Sequence, residues 1–558
     1  MLRCFAATLV ALALVLPHAA AAADPGVVAV VACDSYADLK KQLRWVGTLV
    51  DQPALDGFAE SFIMMATQFK GLAGLDVARP AGLVVTAAGD LPTAHAYVPV
   101  KDLGKLLDSL VGVVGPVEMV GDVRRIAPPG GLPLDVVEKN GWAIIGPQGS
   151  PPPVADPTEL LAGVAKQFTL GVQAFPSRMP EGMRKRLQAL LDQAAAAAAA
   201  QGQQIDRAGV AGMLENLAQA ESLVIGAAID QEGEHVAIES QSRMVPASTV
   251  AKMLTDAAQG AVTVATPATS DGKPAALSLH LAMAVPEAAR QGAIDSLDGI
   301  TAQPGSDAGA ETAVAILKAA LEAMIAAGGY DAALSIDTSV VDANTKKPVP
   351  AVTAGMKVKD GAALEARIKK LFAAAGDLPG VKVALDAGKA AGANLHVITL
   401  GNAGFPGVEA ADDSVDVTLA VAPTYAYLLA GGDVPARLAA VAAASGKPDP
   451  VAKPMADLSV AVGPLLRYAA SMARMANDGA ADPAGLEAAA QVADAQKSAL
   501  VQLFVRPIES GLSLRLSADA GAIRTVAASV KPKAAPKPAG LPIGPGGGLP
   551  MPIPVPVR

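Results

Sequence analysis

Ala96-Tyr97-Val98-Pro99-Val100-Lys101-Asp102 and Ala354-Gly355-Met356-Lys357-Val358-Lys359-Asp360 are one junction written twice. Each runs straight into apolar residues at helical spacing. After the first come Leu103, Leu106, Leu107 and Leu110; after the second come Leu364, Ile368, Leu371 and Phe372. Such spacing puts the apolar side chains on one helix face. An aspartate just ahead of it can accept the unpaired N–H groups of the first turn. The reading is a strand that turns into a capped helix, at Asp102 and again at Asp360.

The match extends in both directions, which is how an internal repeat shows itself. Before the junctions lie the strand patterns 27–31 and 276–281 and the helix patterns 36–49 and 286–297. Longer stripes follow, Phe58, Phe62, Met65 and Phe69 in one case and Val314, Leu317, Leu321 and Met324 in the other. Both stripes are expected to face a core. Beyond the junctions, Trp142-Ala143-Ile144-Ile145-Gly146 corresponds to Tyr425-Ala426-Tyr427-Leu428-Leu429. Short helices (158–166, 435–443), strands (168–175, 458–462), helices (181–200, 465–475) and closing hairpins around 230–234 and 509–511 come in the same order. The expected fold class is α+β: two tandem copies of a unit with a curved antiparallel sheet covered by amphipathic helices.

The ends differ from this body. Arg3, the apolar run Cys4 to Leu16 and Ala21-Ala22-Ala23 form a secretory signal-peptide pattern. The predicted division is a signal peptide at 1–23, a first repeat at 24–260, a linker at 261–274, a second repeat at 275–529 and a Pro/Gly-rich disordered tail at 530–558. The tail, with Lys531-Pro532-Lys533 and Pro550-Met551-Pro552, cannot build a packed element. Export to the periplasm or the cell exterior follows, with no membrane-spanning segment after cleavage. Cys33 is then the one remaining cysteine, so no internal disulfide is expected.

Composition excludes some partners. Loss of Arg3 leaves 43 basic against 53 acidic residues, and aromatics are only 3% of the chain. Nucleic acid needs a basic stripe or aromatic platforms, and neither is present. The 52% apolar content, carried mainly by Ala and Val, is ample for a core.

No short catalytic or metal-binding motif appears. His95, His235, His280 and His396 have no partner at metal-ligand spacing. His235 reads as part of a solvated hairpin end, Asp412-Asp413 as a solvated loop, and Arg184-Lys185-Arg186 as a solvated helix face. No catalytic, cofactor-binding or metal residue is assigned, no cofactor is expected, and ligand-binding residues stay open.

In its alternating apolar strands, long amphipathic helices and tandem layout, the chain resembles exported carriers that hold lipid between a sheet and helices. It also resembles two-lobed lipid-transfer proteins. As a whole it resembles the uncharacterised duplicated proteins exported by bacteria with Ala-rich proteomes. The resemblance implies a lipid or other apolar ligand, or an envelope protein partner. The leading expectation is therefore a non-enzymatic envelope protein. One alternative is a structural or surface-assembly protein that uses the tail as a spacer. The other is an enzyme without short motifs, whose mark would be a cleft gathering Asp102, His95, Asp360 and His396.

Overall fold

The computed structural model describes residues 26–88, 91–200, 219–266, 269, 273–302, 308–340, 350–376, 378, 380–401, 414–447, 454–476 and 482–530. The expected signal peptide, Asp412-Asp413 and the tail beyond Val530 lie outside these residues.

The first half runs β1 (Gly26–Cys33), α1 (Tyr36–Leu49), α2 (Leu55–Ala66), β2 (Ala81–Ala88), β3 (Leu91–Pro99) and α3 (Leu103–Val114). Then come β4 (Val117–Val120), β5 (Val123–Ile126), β6 (Leu134–Lys139), β7 (Trp142–Pro147) and α4 (Thr158–Ala165). It closes with β8 (Leu170–Ala174), α5 (Glu181–Ala200), β9 (Ala220–Asp230), β10 (His235–Met244) and α6 (Thr249–Ala257). The second half begins β11 (Leu277–Ala284), α7 (Glu287–Ser296), α8 (Ala308–Ala326), β12 (Gly329–Asp337), β13 (Ala351–Lys357) and α9 (Gly361–Ala375). It continues β14 (Val381–Ala390), β15 (Ala393–Leu400), β16 (Val415–Val421), β17 (Tyr425–Ala430) and α10 (Val434–Ala444). It ends β18 (Ala456–Ala461), α11 (Val462–Ala476), α12 (Pro483–Asp494), β19 (Leu500–Ile508), β20 (Gly511–Asp519) and α13 (Ala520–Val530).

The twenty strands among the described residues form one open, antiparallel sheet, so the fold is α+β. Read across, the first half is β4-β5-β6-β7-β3-β2-β1-β8-β9-β10. The second is β20-β19-β18-β11-β12-β13-β17-β16-β15-β14. The halves meet where β10 pairs with β20, nine residues against nine from His235–Asp519 to Arg243–Gly511. Strand for strand, the pairings of the second half follow those of the first.

The two junctions are built as the sequence indicates. Asp102 accepts from the Lys105 N–H and Asp360 from the Ala363 N–H, each at 3.0 Å. Leu103, Leu106 and Leu107 are buried with Ile126, Val136 and Ala143. Leu364 and Ile368 are buried with Val358, Leu419 and Val421. On the opposite side of the sheet, Tyr97, Trp142 and Ile144 pack on Leu161 and Val164 of α4, and Tyr427 and Leu429 on Leu438 and Val441 of α10. Close packing here needs glycine. A Cβ on Gly226 would fall 2.2 Å from the Phe168 ring.

One expectation is corrected, and two further features add to the sequence reading. The stripe on α2 does not face a core: Phe58 and Met65 are exposed, as are Phe69 just beyond its end and Leu317 on α8, although Met324 is buried. Helix α2 instead docks on α1 through the ion pairs Arg44–Asp56 and Lys40–Glu60. Periodicity reveals a face but not the side on which a helix docks. The proposed linker, 261–274, is packed along its first part. Val262 and Val264 are buried, and the buried Asp331 accepts from the backbone N–H groups of Thr263 and Val264 and from the Thr263 hydroxyl. Strands β4–β6, β14–β16 and helices α6, α12 and α13 were not read from the sequence. Strands β4 to β6 are short, and charged residues such as Glu118, Arg124, Lys382 and Asp416 interrupt the apolar pattern of all the outer strands except β15, which weakens the strand signal.

Candidate functional site

Alternation along a strand sends successive side chains to opposite faces. The register therefore allows each face of the central sheet to be read as rows. One row runs Leu170, Ala227, Ile238, Leu516, Leu503, Leu458, Leu279, Leu334, Ala354, Leu428, from β8 to β17. A second, parallel to it, runs Val172, Ile225, Ser240, Leu514, Val505, Ala456, Leu281, Ala332, Met356, Ala426. A third, on the other side of the first, starts at Ile229 and continues Val236, Ala518, Val501, Val460, Leu277, Ile336, Val352, Ala430. No charged side chain stands in any of the three rows, and Ser240 is the one polar residue.

This apolar face is the more open one. Apart from Ala426 and Ala430, no residue of the three rows is buried. Around the junction of the halves, Val172 (41%), Ile225 (57%), Ile238 (55%), Leu514 (44%) and Leu516 (42%) are exposed together. The opposite face holds small and polar residues, and many of those are buried, including Ala237, Ser513, Ser517, Asp331, Ser335 and Thr353. A sheet normally covers its apolar side and shows water its polar side. Around the junction of the halves the apolar side is open, whereas at its far end Met356 and Ala426 lie under α8 and α9; contiguous exposed apolar surface marks an interaction site.

The polar face of the junction is a connected network. Glu239 Oε1 accepts from Ser513 Oγ and from Gln241 Nε2, each at 2.9 Å. Arg515 stands 3.7 Å from Glu239 and 2.6 Å from His235 Nε2. The hairpin end read as solvated at His235 is thus part of the contact between the halves.

Of the other candidates, His95 is buried on β3 with neither ring nitrogen in good hydrogen-bond geometry, the Ser150 backbone standing nearest. Burial holds its pKa below the ordinary value. His280 lies on β11, facing away from the open side. Asp102 and Asp360 serve as helix caps on different halves. His396 does have company, contrary to expectation. Its ligand atoms lie within 4.8 Å of those of Glu365 and Asp386, a spacing that suits a metal. The hydrogen bonding argues otherwise. Asp386 N–H donates to His396 Nδ1 at 3.1 Å, so the neutral ring carries its proton on Nε2, which faces Glu365 at 3.5 Å. A metal-bound histidine presents a bare nitrogen to the ion and donates with the other. Lys369 Nζ and Asn394 Nδ2 each stand 2.6 Å from both carboxylates, where a cation would compete with them. The cluster ties α9 to the β14–β15 hairpin. Desolvation lowers the His396 pKa and the ion pairs lower those of Glu365 and Asp386. Asp102, His95, Asp360 and His396 share no hydrogen bond or ion pair with one another among the described residues.

No helix among the described residues is long and apolar enough to cross a membrane. No family model, no curated protein and no solved structure matches the chain.

Proposed function

We propose that this protein is a non-enzymatic carrier that binds an apolar ligand against the open face of its sheet. The observation that carries the reading is the uncharged aliphatic surface around Ile238 and Leu516. Covering it would return the burial that the free protein forgoes. Five aliphatic side chains, each about half exposed, make this on the order of 5 kcal/mol. Protein partners usually anchor on Trp, Tyr and Arg, and the three rows hold none. That favours an aliphatic ligand over a protein.

Two further readings accompany this one. The halves are two copies of one unit, supported by their matching strand pairings and matching Asp caps. The protein works in the periplasm or outside the cell, supported by the signal-peptide pattern at 1–23. The direct test is native mass spectrometry and solvent extraction of protein purified without detergent. Co-purifying lipid that is absent from a Leu516→Asp variant is the expected result. Lipid-free wild-type protein that also takes up no added hydrocarbon refutes the carrier reading.

A further inference from the structure

Ser240 is the one polar side chain in three rows of aliphatic residues, and it stands within the most exposed part of them. Ile225 is its partner on one neighbouring strand and Leu514 on the other. Ile238 lies two residues along, opposite Leu516. The next residue on that face of β10 is Ser242, between Leu223 and Leu512. Among the described residues neither hydroxyl has a hydrogen-bond partner. A hydroxyl on an apolar surface is costly to cover unless the covering molecule bonds to it. A pure hydrocarbon would leave Ser240 unpaired. A charged headgroup would lose its water with no counter-charge in the rows to replace it.

Building on the carrier reading above, we infer that the ligand is a neutral acyl ester, seated with an ester carbonyl on the Ser240 hydroxyl and its hydrocarbon chains along the flanking aliphatic rows. The exposed patch spans β8, β9, β10 and β20, about 14 Å across at about 4.8 Å per strand, close to the roughly 15 Å of chain depth in one bilayer leaflet. The hydroxyl donates, the carbonyl accepts, and both chain ends run over Leu, Ile and Val.

The test uses the full-length mature protein carrying a bound pyrene-labelled hydrocarbon, displaced by dipalmitoylglycerol or by hexadecane. Ser240→Ala should weaken dipalmitoylglycerol binding about three- to tenfold, the value of one neutral hydrogen bond. Hexadecane binding should stay unchanged, and Ser240→Thr, which keeps the hydroxyl, should bind the ester like the wild type. Equal loss for both probes, or no loss for either, overturns the ester assignment while leaving an apolar carrier. If the wild type takes up neither the label nor either probe, the carrier reading falls first and this inference with it. A homodimer that Leu516→Asp separates, without lipid uptake, would assign the face to a second copy and refute both.

Discussion

Ile238 and Leu516 stand directly opposite each other where β10 meets β20, and both are open to solvent. A polar replacement there removes apolar surface without opening a cavity. Ile238→Asn or Leu516→Asp should lower unfolding free energy by about 1 kcal/mol, the value of the half of each side chain that is already covered. The same changes should abolish uptake of an apolar fluorophore. Urea unfolding and dye fluorescence check the two halves of this expectation.

Glu239 lies on the other face of the same junction and is more enclosed. Glu239→Ala leaves the Ser513 hydroxyl and the Gln241 amide without their acceptor and removes one of the two neighbours of Arg515, which keeps His235. The expected loss is about 1–2 kcal/mol, since the pair with Arg515 is loose and partly solvated. Dye uptake should be unaffected, because the side chain points away from the open face. Urea unfolding beside the dye assay separates this effect from that at Leu516.

Asp331 holds the segment that crosses between the halves. Asp331→Ala would strand two backbone N–H groups and the Thr263 hydroxyl. Thermal and urea unfolding should show a loss of about 1–3 kcal/mol. Hydrogen exchange at Thr263 and Val264 should accelerate more than elsewhere.

Acid should weaken the fold in two steps. His95 and His396 are both held below the ordinary imidazole value of 6.5, chiefly by burial. Below 6.5 the unfolded chain takes up protons that the folded chain refuses, so stability falls from there down to the depressed folded values. Glu365 and Asp386 are shifted down as well. Their contribution is present above the ordinary carboxylate range and is lost as pH drops through it. Urea midpoints between neutral pH and pH 4 test the first step. His396→Gln should flatten part of that slope and leave the carboxylate step in place.

His95 should be dispensable for folding. Both ring nitrogens are buried outside good hydrogen-bond geometry, with only the Ser150 backbone close by, which leaves part of a cost of about 1–3 kcal/mol unmet. His95→Leu should therefore leave stability unchanged or raise it. Gly146→Ala should lower it, because the new methyl would sit 2.3 Å from the His95 ring. Thermal unfolding of the two variants checks both signs.

Much of the element order was legible in the sequence, because helix stripes and strand alternation are local signals. The Asp102 and Asp360 caps were legible for the same reason. Most of the outer strands β4–β6 and β14–β16 carry charged residues that dilute a strand pattern which pairing with neighbours sustains, and β15, which has none, is held by its pairing with β14 and β16. Phe58 and Phe69 were placed in a core that does not exist there. Their spacing is helical, but the docking side of α2 is set by Arg44 and Lys40 on another helix. The open face was half legible. Alternation in 236–240 and 512–516 marks one apolar side, yet nothing local says whether a helix lies over it.

By itself the sequence determined the α+β class and the order of most elements, because these depend on residue type and short spacing. Only the tertiary structure decided that β10 pairs with β20, that the apolar side of the joined sheet stays open, and that His396 meets Glu365 and Asp386. Each of those depends on contacts between residues far apart in the chain, and packing, not local propensity, selects them.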